Sequence, residues 1–366
     1  MYGVRQERVV YLLAIVGSII LSCWAAARTS VINPDGICYL QSAAGMSFGL
    51  QFAMHLCDQA SWPFYSILIY KVVTITHLSY TTCAFLLNGL LTALSVVMFL
   101  AIIRTLTPSI RILWLALAVI LLPHEFNAVR TEIIRDHGFW AFYLVSLFFL
   151  LHFFRRQNLS RAILWNVSLL VATLFRIEGA IFLLLLPFTV WFDGRKNGRQ
   201  RLRAFFQLNV VTISLGIILV AWVLVHPNLP LGRLNEVGVQ FSQGLSIVLA
   251  NYQRASDMLG RYVLSVYSAR DAGYMLFIML TGWYVTSIAV NVSLVYAALI
   301  VYAWSKRLLP SMSSERVVLW GYVCVNILIT SIFLFQNLFL SKRYLIALSL
   351  VLMVWVPFAL ESLIQQ

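Results

Sequence analysis

The chain has 366 residues, of which 61% are hydrophobic and 11% charged, with a net charge of +13 and a mean hydropathy of +0.88. A soluble globular domain carries about 25% charged residues, so this composition excludes one. Runs of roughly twenty apolar residues recur, each long enough to cross about 30 Å of hydrocarbon as a helix, while the short alternating segments of a membrane β-barrel are missing. The expected fold class is all-α: a polytopic membrane protein of about 10 transmembrane helices, with a range of about 9–12, forming a single domain over 1–366.

In chain order, a short basic start (Arg5, Arg8) precedes a first span at Val9–Ala27, too long for the apolar region of a signal peptide. Residues 28–80 form a first outer loop too apolar to lie free in water. Its segments Leu50–Leu56 and Phe64–Tyr70 read as amphipathic helices in the membrane interface, broken up by Gly45, Gly49 and Pro63. Further spans are expected at Tyr80–Ile103, Ile112–Leu122, Phe139–Phe154, Ala162–Phe175, Ala180–Phe192 and Leu208–Val225. A second large outer loop covers 226–273. One span lies within Met275–Trp304, and two more follow at Val317–Phe339 and Leu345–Leu360, with a tight outer turn at Leu340–Tyr344 between them.

The excess of Lys and Arg sits largely in short loops, above all Arg155-Arg156 and the cluster Arg195, Lys196, Arg199, Arg201 and Arg203. Such loops face the cytoplasm, so both termini are expected inside, and the charge needs no nucleic acid to explain it. There is no dinucleotide fingerprint and no phosphate-binding loop of the Walker type. The five cysteines show no metal spacing. Cys38 and Cys57 flank an outer segment and could pair in an oxidising compartment, but along one straight helix they would sit about 28 Å apart.

Four charged constellations remain on the expected outer face: Asp35; Arg135-Asp136-His137; Arg176 with Glu178; and Lys342-Arg343. Ionisable groups near membrane depth cost about 2.5–3.5 kcal/mol each on insertion scales, so they pair, line a cavity or serve function. Each also has a plain structural alternative. Asp35 could start a helix, Asp136 could cap one, Arg176–Glu178 could close a turn, and Lys342-Arg343 could be snorkelling anchors.

These constellations carry a resemblance. Asn33-Pro34-Asp35-Gly36-x-x-Tyr39 followed by Trp62-Pro63-Phe64-Tyr65 resembles the first outer loop of the GT-C glycosyltransferases of the bacterial protein-mannosyltransferase and aminoarabinose-transferase type. Ile134-Arg135-Asp136-His137-Gly138 resembles their second acidic site, Arg176-Ile177-Glu178-Gly179 their Arg-x-Glu-Gly element, and Lys342-Arg343-Tyr344-Leu345 their late Arg-Tyr. The resemblance covers most of the chain in order and spacing.

It implies a transferase of the bacterial inner membrane with a periplasmic active site, which moves a sugar from a polyprenyl-phosphate donor to an envelope glycan, lipid or protein with inversion. Asp35 would be the general base and Asp136 the second acidic group. Arg135, Arg176, Glu178, Lys342, Arg343 and Tyr344 would bind the lipid phosphate and sugar. Asp136 with His137 or Glu132 could hold a divalent metal ion; no other cofactor is implied. The chain lacks the longer acidic pattern and the C-terminal soluble domain of many such transferases. Two other readings stay open: a polymerase or ligase using lipid-linked oligosaccharide, and a lipid or sugar transporter, although transporters concentrate their polar groups at mid-membrane.

Overall fold

The computed structural model describes residues 2–225, 233–309 and 313–366. Its described residues are helical, with no strand. The helices are α1 (Tyr2–Arg28), α2 (Pro34–Gly45), α3 (Leu50–Met54), α4 (Phe64–Thr76), α5 (Tyr80–Leu106), α6 (Ile110–Leu121), α7 (His124–Ala128), α8 (Asp136–Arg155) and α9 (Leu159–Phe175). They continue with α10 (Gly179–Leu185), α11 (Gly198–Val225), α12 (Arg233–Tyr262), α13 (Ala272–Val292), α14 (Leu294–Ser305), α15 (Ser313–Asn337), α16 (Lys342–Leu352) and α17 (Val356–Ile364).

Among the described residues seven helical stretches are long and apolar enough to cross a membrane: α1, α5, α8, α11, α13, α15 and the run α16–α17. Counting the pair α6–α7, bent by 58°, as one span makes eight. The chain is therefore a multi-pass α-helical membrane protein. Four shorter apolar helices stand where further spans were expected or nearby: α4, α9, Gly179–Phe192 and α14.

Local chemistry sets many of the boundaries. Ser79, Ser109 and Asn158 each accept a hydrogen bond from the first turn of α5, α6 and α9, respectively, replacing partners those backbone N–H groups lack. Gly49 adopts φ +115°, a conformation open to glycine, and separates a 3₁₀ turn from α3; Pro63 opens α4. The stretch expected as one span within Met275–Trp304 is two helices, because Ser293 takes φ +85° and interrupts the ladder. The expected second outer loop is largely helical where it is described. Residues 226–232 lie outside the described residues, but most of the remainder is the 30-residue helix α12. Its hydrophobicity is too low to read as a span, yet its half-buried positions recur at helical spacing (Val248, Asn251, Tyr252, Ala255, Ser256, Leu259) toward α13 and α15. Of the outer turn expected at Leu340–Tyr344, the residues from Lys342 onward form the first turn of α16.

The most enclosed spans are α16–α17 and α8, with 89% and 72% of their apolar windows buried, against 22% for α1 and 17% for α11. Helix α8 packs on α5, α9 and α15. Polar side chains inside the bundle bond to one another: Trp165 Nε1 donates to Tyr322 Oη at 3.2 Å, Ser146 Oγ meets the same hydroxyl at 2.7 Å, and Asn326 Nδ2 donates to Tyr143 Oη at 2.5 Å. In hydrocarbon each unmade bond would cost several kcal/mol.

Charged groups gather at the two ends. At one end Arg104 meets Glu7 at 2.9 Å, Arg111 meets Glu361 at 3.3 Å, Arg155 pairs with Glu315, and Arg195 donates to the Phe154 carbonyl at 3.0 Å. The start of α1 and the end of α17 thus share this basic end. The opposite end carries the candidate site.

Helix α8 approaches Phe175 of α9 through Gly138. A Cβ at 138 would overlap the Phe175 ring, which is boxed in by Phe64 at 5.0 Å and Phe142 at 6.1 Å between ring centres. Gly138→Val should therefore destabilise the bundle by at least the about 1–3 kcal/mol of overpacking. The expected readout is a lower thermal midpoint in detergent by tryptophan fluorescence; an unchanged midpoint would contradict this packing.

Candidate functional site

The site forms where the first loop, the α7–α8 connection, the end of α9 and the start of α16 converge. Asp35 lies in the first turn of α2, just after Pro34. Asn33, at the N-cap position, makes no cap bond. Its side chain instead exchanges two hydrogen bonds with the main chain of Ile133, donating from Nδ2 at 3.3 Å and accepting from the N–H at 2.8 Å. This sews the first loop to the segment before α8. Gly36 is required by closeness: a Cβ there would stand 2.7 Å from Asn33 Oδ1 and 3.0 Å from Ile133 Cβ. The Asn-Pro-Asp-Gly motif is thus a docking element that presents one carboxylate.

Arg343, in the first turn of α16, donates from Nη1 to Asp35 Oδ2 at 2.5 Å across 308 residues of sequence. Gln59 Nε2 approaches Asp35 Oδ1 at 3.3 Å. Gln59 is near because Cys38 and Cys57 form a disulfide, with Cα atoms 6.0 Å apart. The chain between them leaves α2 and folds back through a 3₁₀ turn at Met46–Phe48 and α3, so the distance expected for a straight helix does not apply. Lys342 Nζ donates to Glu125 at 2.6 Å, and the carbonyl of Lys342 accepts from Asn291 Nδ2 at 2.8 Å. The first turn of α16 has no side-chain cap, and the buried Arg343 Nε meets no hydrogen-bond acceptor within bonding geometry among the described residues.

Next to this pair stands a second. Arg176 donates one terminal nitrogen to Asp136 and the other to Glu178. Its guanidinium lies 4.7 Å from the ring centre of Tyr344, and that of Arg343 lies 5.3 Å from the same ring. Tyr344 therefore links the two ion-pair groups through cation–π contact. Trp62 Nε1 donates to the Leu174 carbonyl at 2.6 Å, fastening the first loop to the end of α9. Arg135, at the head of α8, has a buried Nη1 with no hydrogen-bond partner among the described residues. Glu132 sits in extended backbone just before α8.

Electrostatics follow from these neighbours. Burial alone would raise the Glu178 carboxyl, but Arg176 more than reverses this and holds it below its ordinary value. Burial raises Glu132, partly opposed by Arg343. The Tyr39 phenol is pushed up to about 12, mainly by burial, with Arg135 opposing and Asp136 and Asp35 adding to the rise.

A cleft of about 480 Å³ opens on the first group, lined by Asn33, Asp35, Glu125, Glu132, Lys342 and Arg343. The structure thus joins Asp35, Lys342, Arg343 and Glu132 at the cleft, and Asp136, Arg176, Glu178 and Tyr344 beside it. It does not assemble the metal set. His137 is fully buried, with Nδ1 on the Thr92 hydroxyl at 2.9 Å and Nε2 on the Val129 carbonyl at 3.2 Å, and Asp136 is taken by Arg176. Among the described residues no three His, Cys, Asp or Glu side chains converge as metal ligands. Gln59 and Glu125 were missed by sequence reasoning, and Asn33 was read as part of its motif without its docking role on Ile133. Only the neighbouring Cys57 could have drawn attention to Gln59, and Glu125 gave no signal beyond its charge. No protein-family model matches the chain, and no curated protein matches it in sequence.

Two outcomes test this geometry. Cys38 and Cys57 should resist maleimide in the unfolded protein until reduced, seen as two added labels by mass spectrometry; labelling without reductant would remove the disulfide. Removing Arg176 leaves two carboxylates uncompensated, so Arg176→Ala should cost about 3–5 kcal/mol. Because Arg176 depresses the Glu178 carboxyl, the stability it confers is present above the ordinary carboxylate range and lost as pH falls through the folded-state value. Thermal midpoints at pH 7 and pH 4 should therefore differ more for the wild type than for Arg176→Ala.

Proposed function

We propose that this chain is a membrane glycosyltransferase that transfers a sugar from a polyprenyl-phosphate donor to an envelope acceptor on the extracytoplasmic side. The observation that carries the reading is the Asp35–Arg343 contact at the cleft. It brings together the first and last of four motifs that resemble GT-C glycosyltransferases. A disulfide near the site fits an oxidising compartment, and the basic opposite end fits the cytoplasmic side.

The chemistry is a displacement at the anomeric carbon. The acceptor hydroxyl forms the new C–O bond, the bond from carbon to the phosphate oxygen breaks, and the electron pair leaves on the lipid phosphate. That charge needs fixed donors. Arg343 has an Nε–H with no hydrogen-bond partner among the described residues, Lys342 is the more exposed cation at the rim, and the first turn of α16, without a side-chain cap, offers backbone N–H groups. A phosphate that engages Arg343 competes with Asp35 for it, so donor binding loosens the resting ion pair. The sequence reading gives the proton-accepting role to Asp35; Glu132 lines the same cleft. Arg176 is fully committed to Asp136 and Glu178, and its contribution is to hold Tyr344 and the start of α16 in position.

The test is mass spectrometry of envelope glycolipids and glycans from cells lacking the chain and complemented with variants. Arg343→Ala should lower the sugar-bearing product by about 10²–10³-fold. Arg343→Lys should retain part of the activity, since lysine keeps the charge without the bidentate fork, and Lys342→Ala should cost less. Wild-type product levels in Arg343→Ala at equal membrane abundance would overturn the assignment.

A further inference from the structure

We propose that Glu132 is the proton acceptor of this cleft, while Asp35 and Glu125 serve to hold its cations; the inference rests on the glycosyltransferase reading and changes which carboxylate does the acid–base work. The starting observation is a difference in partners. Asp35 is paired with Arg343 and bonded by Gln59, and Glu125 is paired with Lys342. Beside the cleft, Asp136 and Glu178 share Arg176. Glu132 lines the cleft, yet its carboxylate makes no hydrogen bond or ion pair among the described residues.

Its backbone, in contrast, is pinned on every side. The Glu132 N–H donates to the Val129 carbonyl at 3.0 Å, its carbonyl accepts from Asn88 Nδ2 at 3.1 Å, and the next residue, Ile133, is held at both N–H and carbonyl by Asn33. Asn88 is itself held through its side-chain oxygen by the Tyr65 hydroxyl at 2.7 Å. A rigid main chain therefore carries a chemically uncommitted carboxylate into a polar cleft, as acid–base work requires.

An ion-paired carboxylate is a poor base, because accepting a proton strands its cation. In the resting site a proton on Asp35 would weaken its pair with Arg343, and a proton on Glu125 its pair with Lys342. Glu132 has no contact ion pair to give up, although Arg343 faces it. The charged groups that face it are Arg343 from α16, Asp136 from α8 and Asp35 from α2. Burial and the two carboxylates raise its proton affinity and Arg343 lowers it, with a net upward direction. That direction moves it toward the range in which a base is both ionised and strong.

In the step proposed, the acceptor hydroxyl oxygen bonds to the anomeric carbon as its proton passes to a Glu132 carboxylate oxygen. The carbon–phosphate-oxygen bond breaks with its electron pair staying on the lipid phosphate, which Arg343 and Lys342 neutralise. Glu132 then returns the proton to water.

The experiment uses membrane vesicles from cells lacking the chain, carrying it, or carrying a variant at equal abundance. The product followed is the envelope species that differs by one sugar between the first two. Glu132→Gln is expected to slow formation of that species by about 10²–10⁴-fold, and Glu132→Asp less. Glu132→Ala should regain rate when formate is added, because a small carboxylate can occupy the vacated position; Asp35→Ala should not. The wild-type rate should fall on the acid side through a limb that Asp35→Asn retains and Glu132→Gln lacks. A Glu132→Gln rate within a few-fold of wild type, or a dead Glu132→Ala that formate does not rescue, overturns the assignment while leaving the transferase reading intact. If no species differs by a sugar between cells with and without the chain, the transferase reading itself falls and this inference with it.

Discussion

Charge at the edge of a low-dielectric bundle must find a partner, and the candidate site is organised by that requirement. Taking an ion out of water costs several kcal/mol unless an opposite charge and hydrogen bonds replace the solvent. At this end of the molecule much of the replacement comes from far away in sequence: Arg343 reaches Asp35, Lys342 reaches Glu125 and Arg176 reaches Asp136. Each of these three pairs joins two elements, and Arg176 also holds its near neighbour Glu178. The ion pairs thus act as the fasteners that make a first loop, a connection and a late helix into one rim.

The scaffold behind the rim is neutral and rigid. Asn33 binds the Ile133 main chain twice, Trp62 holds the end of α9, the Cys38–Cys57 disulfide brings Gln59 to Asp35, and Asn291 fixes the start of α16. Two glycines allow the closest approaches, Gly36 against Ile133 and Gly138 against Phe175. Such a frame holds the paired charged groups at defined positions along the cleft. Among the described residues, the Nε of Arg343 and the carboxylate of Glu132 are the groups at the cleft that the frame leaves without a hydrogen-bond partner.

The two ends of the bundle use charge differently. At the basic end Arg104, Arg111, Arg155 and Arg195 pair with Glu7, Glu361, Glu315 and Asp193, and Arg155 and Arg195 also reach the carbonyls of Thr105 and Phe154. Arg104 and Arg155 lie in the last turns of α5 and α8, where the helix dipole favours cations. At the other end Lys342 and Arg343 occupy the first turn of a helix, where the dipole disfavours them. Cations retained in an unfavourable position, beside backbone donors of the same sign, are the setting for an anion.

Class and membrane nature were legible directly, since twenty-residue apolar runs admit little else. So were the four charged constellations, because a charged residue stands out in an apolar chain. What stayed hidden were features of relative placement: the amphipathic α12, concealed by low hydrophobicity, the break at Ser293, and the roles of Gln59, Glu125 and Asn33, none of which has a local signature. His137 looked like a ligand by its neighbours Asp136 and Arg135, yet its ring is spent inside the bundle on Thr92 and Val129. Sequence alone determined that this is an apolar, helical, membrane-crossing chain with Asp35, Asp136, Arg176 and Arg343 standing out, because hydrophobic length and charge are properties of single segments. Only the tertiary structure decided which of those groups pair, which carboxylate at the cleft keeps its oxygens uncommitted and where that cleft opens, because pairing depends on distances between segments that the chain itself does not encode locally.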